Sequence, residues 1–168
     1  ICELTGMDVA NASVYDGATA AAEAATMCAD RKRTRVVLSE TVDPQVQAVV
    51  RTYCFGSGRS VTVVPAKDGR TDMESLAQVL SDDAACFLLQ QPNYFGLVED
   101  AVTLGSIAHG AGAKFVMDCN PVSLALLASP GECNADVAVG EGQPLGLPLS
   151  FGGPYVGFMA ATKAMMRK

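Results

Sequence analysis

"AACFLLQQPNYFGLVEDAVTLGSIAHGAGAKFVMD", residues 84–118, decides the fold class. Its first eight residues, Ala84 to Gln91, run apolar almost without a break, as expected of a strand buried on both faces rather than half-exposed. Pro92, Asn93 and Gly96 then announce a turn. From Val98 the apolar residues take helical spacing until Gly110 and Gly112 close the run. "KFVMD" (114–118) is a second short apolar strand. Two buried strands joined by a helix form a βαβ unit, which implies a parallel sheet covered by helices.

The same alternation extends in both directions. "GATAAAEAATMCADR" (17–31) is an Ala-rich helix with Asp16 placed to cap it. "RVVLSE" (35–40) reads as a strand, and "DPQVQAVVRTYCFGSG" (43–58) as a helix with Asp43 at the cap and Pro44 at its first position. "SVTVVP" (60–65) is a strand, and "TDMESLAQVLS" (71–81) a helix in which Thr71 and Glu74 have capping-box spacing. A helical turn near 122–127 leads to the strands "ADVAVG" (135–140) and "YVGFMAA" (155–161). The expected product is one three-layer αβα domain over 1–168, with the strands near 35–39, 60–64, 85–89, 114–118, 136–139 and 156–161 in a single mostly parallel sheet. "ICELTG" at the start reads as a helix ending and "ATKAMMRK" at the close as a helix under way. The chain is therefore expected to be the interior of a longer polypeptide. Apolar side chains covered elsewhere should lie exposed at Ile1, Leu4, Met7, Tyr94, Phe95, Met165 and Met166.

Composition narrows the function. With 49% apolar and 18% charged residues, this is a soluble globular composition without a membrane-spanning run. The net charge of −6 and the lack of a dense basic stripe disfavour nucleic-acid binding. Six widely spaced cysteines without a CxxC, and one histidine, disfavour zinc and fit reduced core thiols in a reducing, cytoplasmic compartment. His109, near a helix C-terminus, reads as a structural cap.

Ligands of such sheets bind beyond the carboxyl ends of the strands. Gly17, Ala18 and Thr19 open a helix there and could offer backbone N–H groups to a phosphate, although Asp16 beside them either repels that anion or only caps the helix. Asp118 ends an apolar strand, where it either pairs with a ligand cation or caps the turn before Pro121. The strangest loop is "GEGQPLGLPLSFGGPYVGF" (140–158), whose only ionisable groups are Glu141 and Tyr155. Long Gly/Pro loops between core strands tend to be functional. "GEGQPLG" is no dinucleotide fingerprint, because it does not join a first strand to its crossover helix.

"LTGMDVANAS" (4–13), "DGATAAAEA" (16–24) and "VAVGEGQPLGLPLSFGGPYVGF" (137–158) resemble the decarboxylating glycine dehydrogenases, the P-proteins of the glycine cleavage system. The similarity is greatest to the first, or alpha, subunit of their two-subunit bacterial form, and it runs from Ile1 to Lys168. It implies the large domain of a fold-type I pyridoxal phosphate enzyme, with a mostly parallel seven-stranded sheet. The Schiff-base lysine of the family's catalytic half falls on Gln143, whose amide nitrogen is not nucleophilic. Glu40 stands where the catalytic half has a histidine near the cofactor ring, and Asp118 matches the carboxylate that pairs with the pyridinium nitrogen. Gly17, Ala18, Thr19 and Asp118 would then be a vestigial cofactor pocket, with no catalytic residue and no metal. Pyridoxal phosphate would be held covalently by a lysine-bearing beta subunit. The complex would decarboxylate glycine and pass the aminomethyl group to the lipoyl arm of the H-protein. A stand-alone aminotransferase or cysteine desulfurase is the alternative, and the missing lysine counts against it.

Overall fold

The apolar runs become strands of one sheet. A computed structural model describes residues 1–168. In chain order it contains α1 (Cys2–Thr5), β1 (Val9–Ala10), α2 (Gly17–Cys28), β2 (Arg35–Ser39), α3 (Pro44–Gly56), β3 (Val61–Val64), β4 (Ala66–Lys67), β5 (Arg70–Thr71) and α4 (Met73–Val79). There follow β6 (Ala84–Gln91), α5 (Ala101–Gly110), β7 (Lys114–Cys119), β8 (Val137–Glu141) and β9 (Gly157–Ala161). Seven strands pair in the order β1-β9-β8-β7-β6-β2-β3. All six strands expected from the sequence lie in this sheet. Neighbours from β3 through β8 run parallel, whereas β9 is antiparallel to both β8 and β1. The remaining pair, β4 and β5, forms a separate antiparallel hairpin.

Strand pleating sends alternate side chains to opposite faces. Val37, Phe87, Leu89, Phe115 and Met117 join a cluster with Leu76 of α4 and Leu104 of α5. Val36, Leu38, Cys86, Leu88 and Val116 join the alanines of α2 and Val50 of α3 on the other face. Small alanines let α2 lie close to the strands. A glycine does the same for α5, since a Cβ on Gly105 would meet the Phe115 ring at 2.7 Å. That ring stacks on Phe87 with centroids 6.1 Å apart.

Aspartates start the longer helices. Asp16 accepts from the Thr19 N–H at 2.7 Å, and Asp43 from the Gln45 N–H at 2.7 Å. Asp100 caps α5 through the Thr103 N–H at 3.1 Å. In α4 the cap is Asp72, which accepts from Glu74 N–H at 3.0 Å, and not Thr71. The Thr71 hydroxyl is buried and already bonded to Ser39 Oγ at 2.7 Å. His109 is structural but caps no carbonyl. Its Nε2 meets the Asp136 carboxylate at 2.8 Å, which also accepts from Lys114 Nζ at 2.8 Å and Phe115 N–H at 2.9 Å. Burial opposes the charge on Asp136, but these three donors outweigh it and hold its pKa below the ordinary carboxylate value.

One buried carboxylate ties the loops together. Glu99, 5% exposed, accepts from Thr41 Oγ1 at 2.9 Å, Thr71 N–H at 3.1 Å and Asn93 Nδ2 at 2.9 Å. The Thr71 hydroxyl adds a fourth donor at 3.2 Å. Segments after β2, within the hairpin and after β6 thus converge on one side chain.

Exposure departs from expectation at three of the seven positions. Ile1, Tyr94, Phe95 and Met166 are exposed, and Leu4 is half-buried. Met7 and Met165 are buried instead, at 5% and 1% exposure. Met7 packs in the cluster under α4 and α5, and Met165 in the one under α2 and α3, so both terminal segments complete the core. Five cysteine thiols are buried, Cys2 is half-buried, and none is bridged. No helix is long and apolar enough to cross a membrane.

Candidate functional site

The strand order reverses between β2 and β6, the place where open α/β sheets form a ligand crevice. A crevice of about 460 Å³ opens there, at the carboxyl ends of β2, β6, β7 and β8. Asp16, Asp43, Asp118 and Glu141 line it, and no lysine, arginine or histidine does.

Glu141 answers why the Gly/Pro loop exists in its present form. Its Oε2 accepts the Gly17 N–H at 2.9 Å, at the first turn of α2. Its Oε1 accepts the N–H groups of Gln143 at 3.0 Å and Val156 at 2.8 Å, on the two limbs of the loop. One carboxylate therefore closes the base of the loop and occupies the positive end of a helix dipole. Gly17 permits this approach, since a Cβ there would lie 2.9 Å from the Glu141 nitrogen. Gly157 has a similar duty, because a Cβ would overlap the Asp16 carbonyl.

The expected site residues fare differently. Gly17 and Ala18 line the crevice, but the Gly17 N–H is taken by Glu141. Thr19 does not line it, and its N–H is taken by Asp16. The helix end read as a phosphate cradle is thus closed by two of the chain's own carboxylates. Gln143 also lies outside the crevice lining, and its Nε2 donates to the Leu147 carbonyl at 2.6 Å. Glu40 faces elsewhere, accepting from the Ala66 N–H at 2.6 Å to hold the hairpin.

Asp118 is where the crevice reading of the sequence holds. It sits on β7 between Gln90 and Val139, only 9% exposed, and its carboxylate has no hydrogen-bond partner. It caps nothing; Asn120 serves the following turn, its Oδ1 accepting from Val122 N–H at 3.0 Å. Burial raises the Asp118 pKa to about 7, with Asp43 and Glu141 adding repulsion. Glu141 is the organising side chain of this region that motif reading passed over. The available signal was its standing as one of two ionisable groups in a long Gly/Pro loop.

Pyridoxal phosphate does not fit these residues. It needs an amine for its aldehyde and a phosphate cradle, whereas this crevice offers no amine, four carboxylates, and a helix end whose Gly17 and Thr19 N–H groups are already bonded to them.

Residues 1–168 match the family described as glycine cleavage system P-protein. A probable glycine dehydrogenase (decarboxylating) subunit 1 from Desulfitobacterium hafniense is 50% identical over the whole chain, which spans 38% of that relative. The corresponding protein of Moorella thermoacetica is 51% identical, with the same coverage of 100% and 38%. A crystal structure of glycine decarboxylase (P-protein) in inhibitor-bound form superposes with a TM-score of 0.93 at 42% identity, covering 99% of this chain and 37% of that one. Matching along its entire length in both sequence and fold, the chain belongs to the glycine cleavage system P-protein family.

Proposed function

We propose that this chain is part of a non-catalytic alpha subunit of a glycine-cleaving decarboxylase. Its partner would be a lysine-bearing subunit that holds pyridoxal phosphate, and the pair would serve a lipoyl H-protein. The observation that carries this reading is the acidic, amine-free crevice at the fold's ligand position, with Glu141 filling the helix end beside it. When bound in the partner, the cofactor supplies an electron sink for loss of CO2 from glycine. The present residues do other work: Glu141 locks the Gly/Pro loop to α2, and the Glu99 network sets the loop carrying Tyr94 and Phe95. Those two rings, which meet edge to face, are exposed apolar surface suited to a partner subunit, as are Leu149 and Phe151 on the Gly/Pro loop. A stand-alone pyridoxal phosphate enzyme is disfavoured, because no lysine lines the crevice.

The deciding experiment is glycine–bicarbonate exchange with the full polypeptide, its lysine-bearing partner, and both together. Exchange is expected only when the partner is present, and strongest for the pair. Exchange by this polypeptide alone would refute the reading. A second expectation concerns the cofactor directly. Incubation with pyridoxal phosphate and borohydride should leave peptides covering 140–158 unlabelled, since that loop has no lysine. Label recovered there by mass spectrometry would overturn it, whereas slow labelling of surface lysines is ordinary amine chemistry.

A further inference from the structure

We propose that the crevice is a binding site for a small organic cation, an ammonium or guanidinium group that pairs with the Asp118 carboxylate. The inference rests on the crevice alone and stands whether or not the chain serves glycine cleavage. Asp118 is nine-tenths buried, lines the crevice, and has no hydrogen-bond partner within the chain. Its oxygens keep only slight contact with solvent through the crevice, so the charge is poorly compensated there, and an incoming cation removes that penalty.

The surroundings point to the same ligand charge. Asp16, Asp43 and Glu141 are each held as carboxylate acceptors of backbone N–H groups, from Thr19, Gln45 and Gly17 respectively. Their positions are fixed by the helix ends they cap, so their negative field converges on the crevice. Nothing cationic lines it, so an anion is repelled. A metal ion is the wrong cation, because no three carboxylate, thiol or imidazole groups converge closely enough to hold one. A cavity of about 460 Å³ instead suits an alkylamine or alkylguanidine. Pro92, Pro144 and Tyr155 give such a ligand apolar wall on which to lay its methylenes.

The probe is agmatine, which carries both cationic groups, titrated calorimetrically into the full polypeptide in low-salt phosphate buffer. One-to-one binding is expected, with no binding of butyrate. Asp118→Asn should weaken agmatine at least about tenfold, the loss of one desolvated charge pair. This variant removes an unpaired charge, and circular dichroism checks its fold. A measurement needing no variant uses pH. The groups facing Asp118 are Asp16 before α2, Asp43 before α3, Glu141 on β8 and Tyr155 on the loop, with Cys119 adjacent. Of the carboxylates facing the crevice, Asp118 is the one with a pKa raised to about 7, so affinity should rise about tenfold between pH 6 and pH 8. Repeating the titration with the partner subunit bound tells the source of the cation. Retained binding indicates a diffusible amine, and competitive loss indicates a lysine or arginine of the partner; either supports the site. Absence of agmatine binding at pH 8 to the polypeptide alone, equal affinity in Asp118→Asn, or a flat pH profile would overturn the proposal.

Discussion

Asp118→Asn is expected to raise the thermal unfolding midpoint clearly at pH 8 and by little at pH 4. The side chain is buried without a partner, and its pKa rises from the usual 3.8 to about 7 in the fold. Well below pH 3.8 the folded and unfolded chains both carry the proton, so the side chain contributes no difference. Between pH 4 and 7 the unfolded chain releases its proton while the folded chain keeps it, and stability falls as pH rises. Above pH 7 both are ionised and the full cost remains. Three pKa units correspond to about 4 kcal/mol, and water entering the crevice reduces this to roughly 2–4 kcal/mol. For a chain of this size each kcal/mol moves the midpoint by about 2–4 °C, so the shift should approach 10 °C. Calorimetric scans at both pH values in an amine-free buffer make the comparison. A variant no more stable than the parent at pH 8 would mean that Asp118 has a partner or is well solvated.

Glu99→Ala is expected to destabilise the chain by about 2–4 kcal/mol, the effect of leaving several buried neutral donors without their acceptor. The Thr41 and Thr71 hydroxyls, the Thr71 N–H and the Asn93 amide would all lose the same acceptor. Glu99→Gln should lie between the two, because an amide keeps one oxygen but turns two N–H donors toward groups that already donate. Urea denaturation followed by circular dichroism reads the order. Parent-like midpoints for Glu99→Ala would show that solvent replaces the carboxylate at no cost.

The legible parts of this fold are those where one physical requirement dominates. Strands buried on both faces must be apolar throughout, so "RVVLS", "AACFLL" and "KFVM" declare themselves. The aspartates before α2 and α3 do so as well, because exposed helix ends need an acceptor. Two-residue strands such as β1, β4 and β5 have no period to detect and are set by their sheet or turn partners. At the start of α4, Thr71 and Asp72 both suit a cap, and the choice is made by the distant Ser39 and Glu99. Met7 and Met165 illustrate the same limit, since burial at a chain end depends on what the rest of the fold leaves uncovered. In the crevice, Asp118 is legible from its place at the end of an apolar strand. The contact from Glu141 to Gly17 joins residues 124 positions apart, beyond any local pattern.

That contact frees the fold from its surroundings in one respect. A helix end left open for a diffusible anion is stabilised in proportion to how much of that anion is present, through mass action. An anion supplied by residue 141 of the same chain is always present, at a local concentration no dilution or dialysis can lower. The stability of this helix end therefore does not vary with the concentration of any diffusible anion, and removing small ions from solution should leave it unchanged.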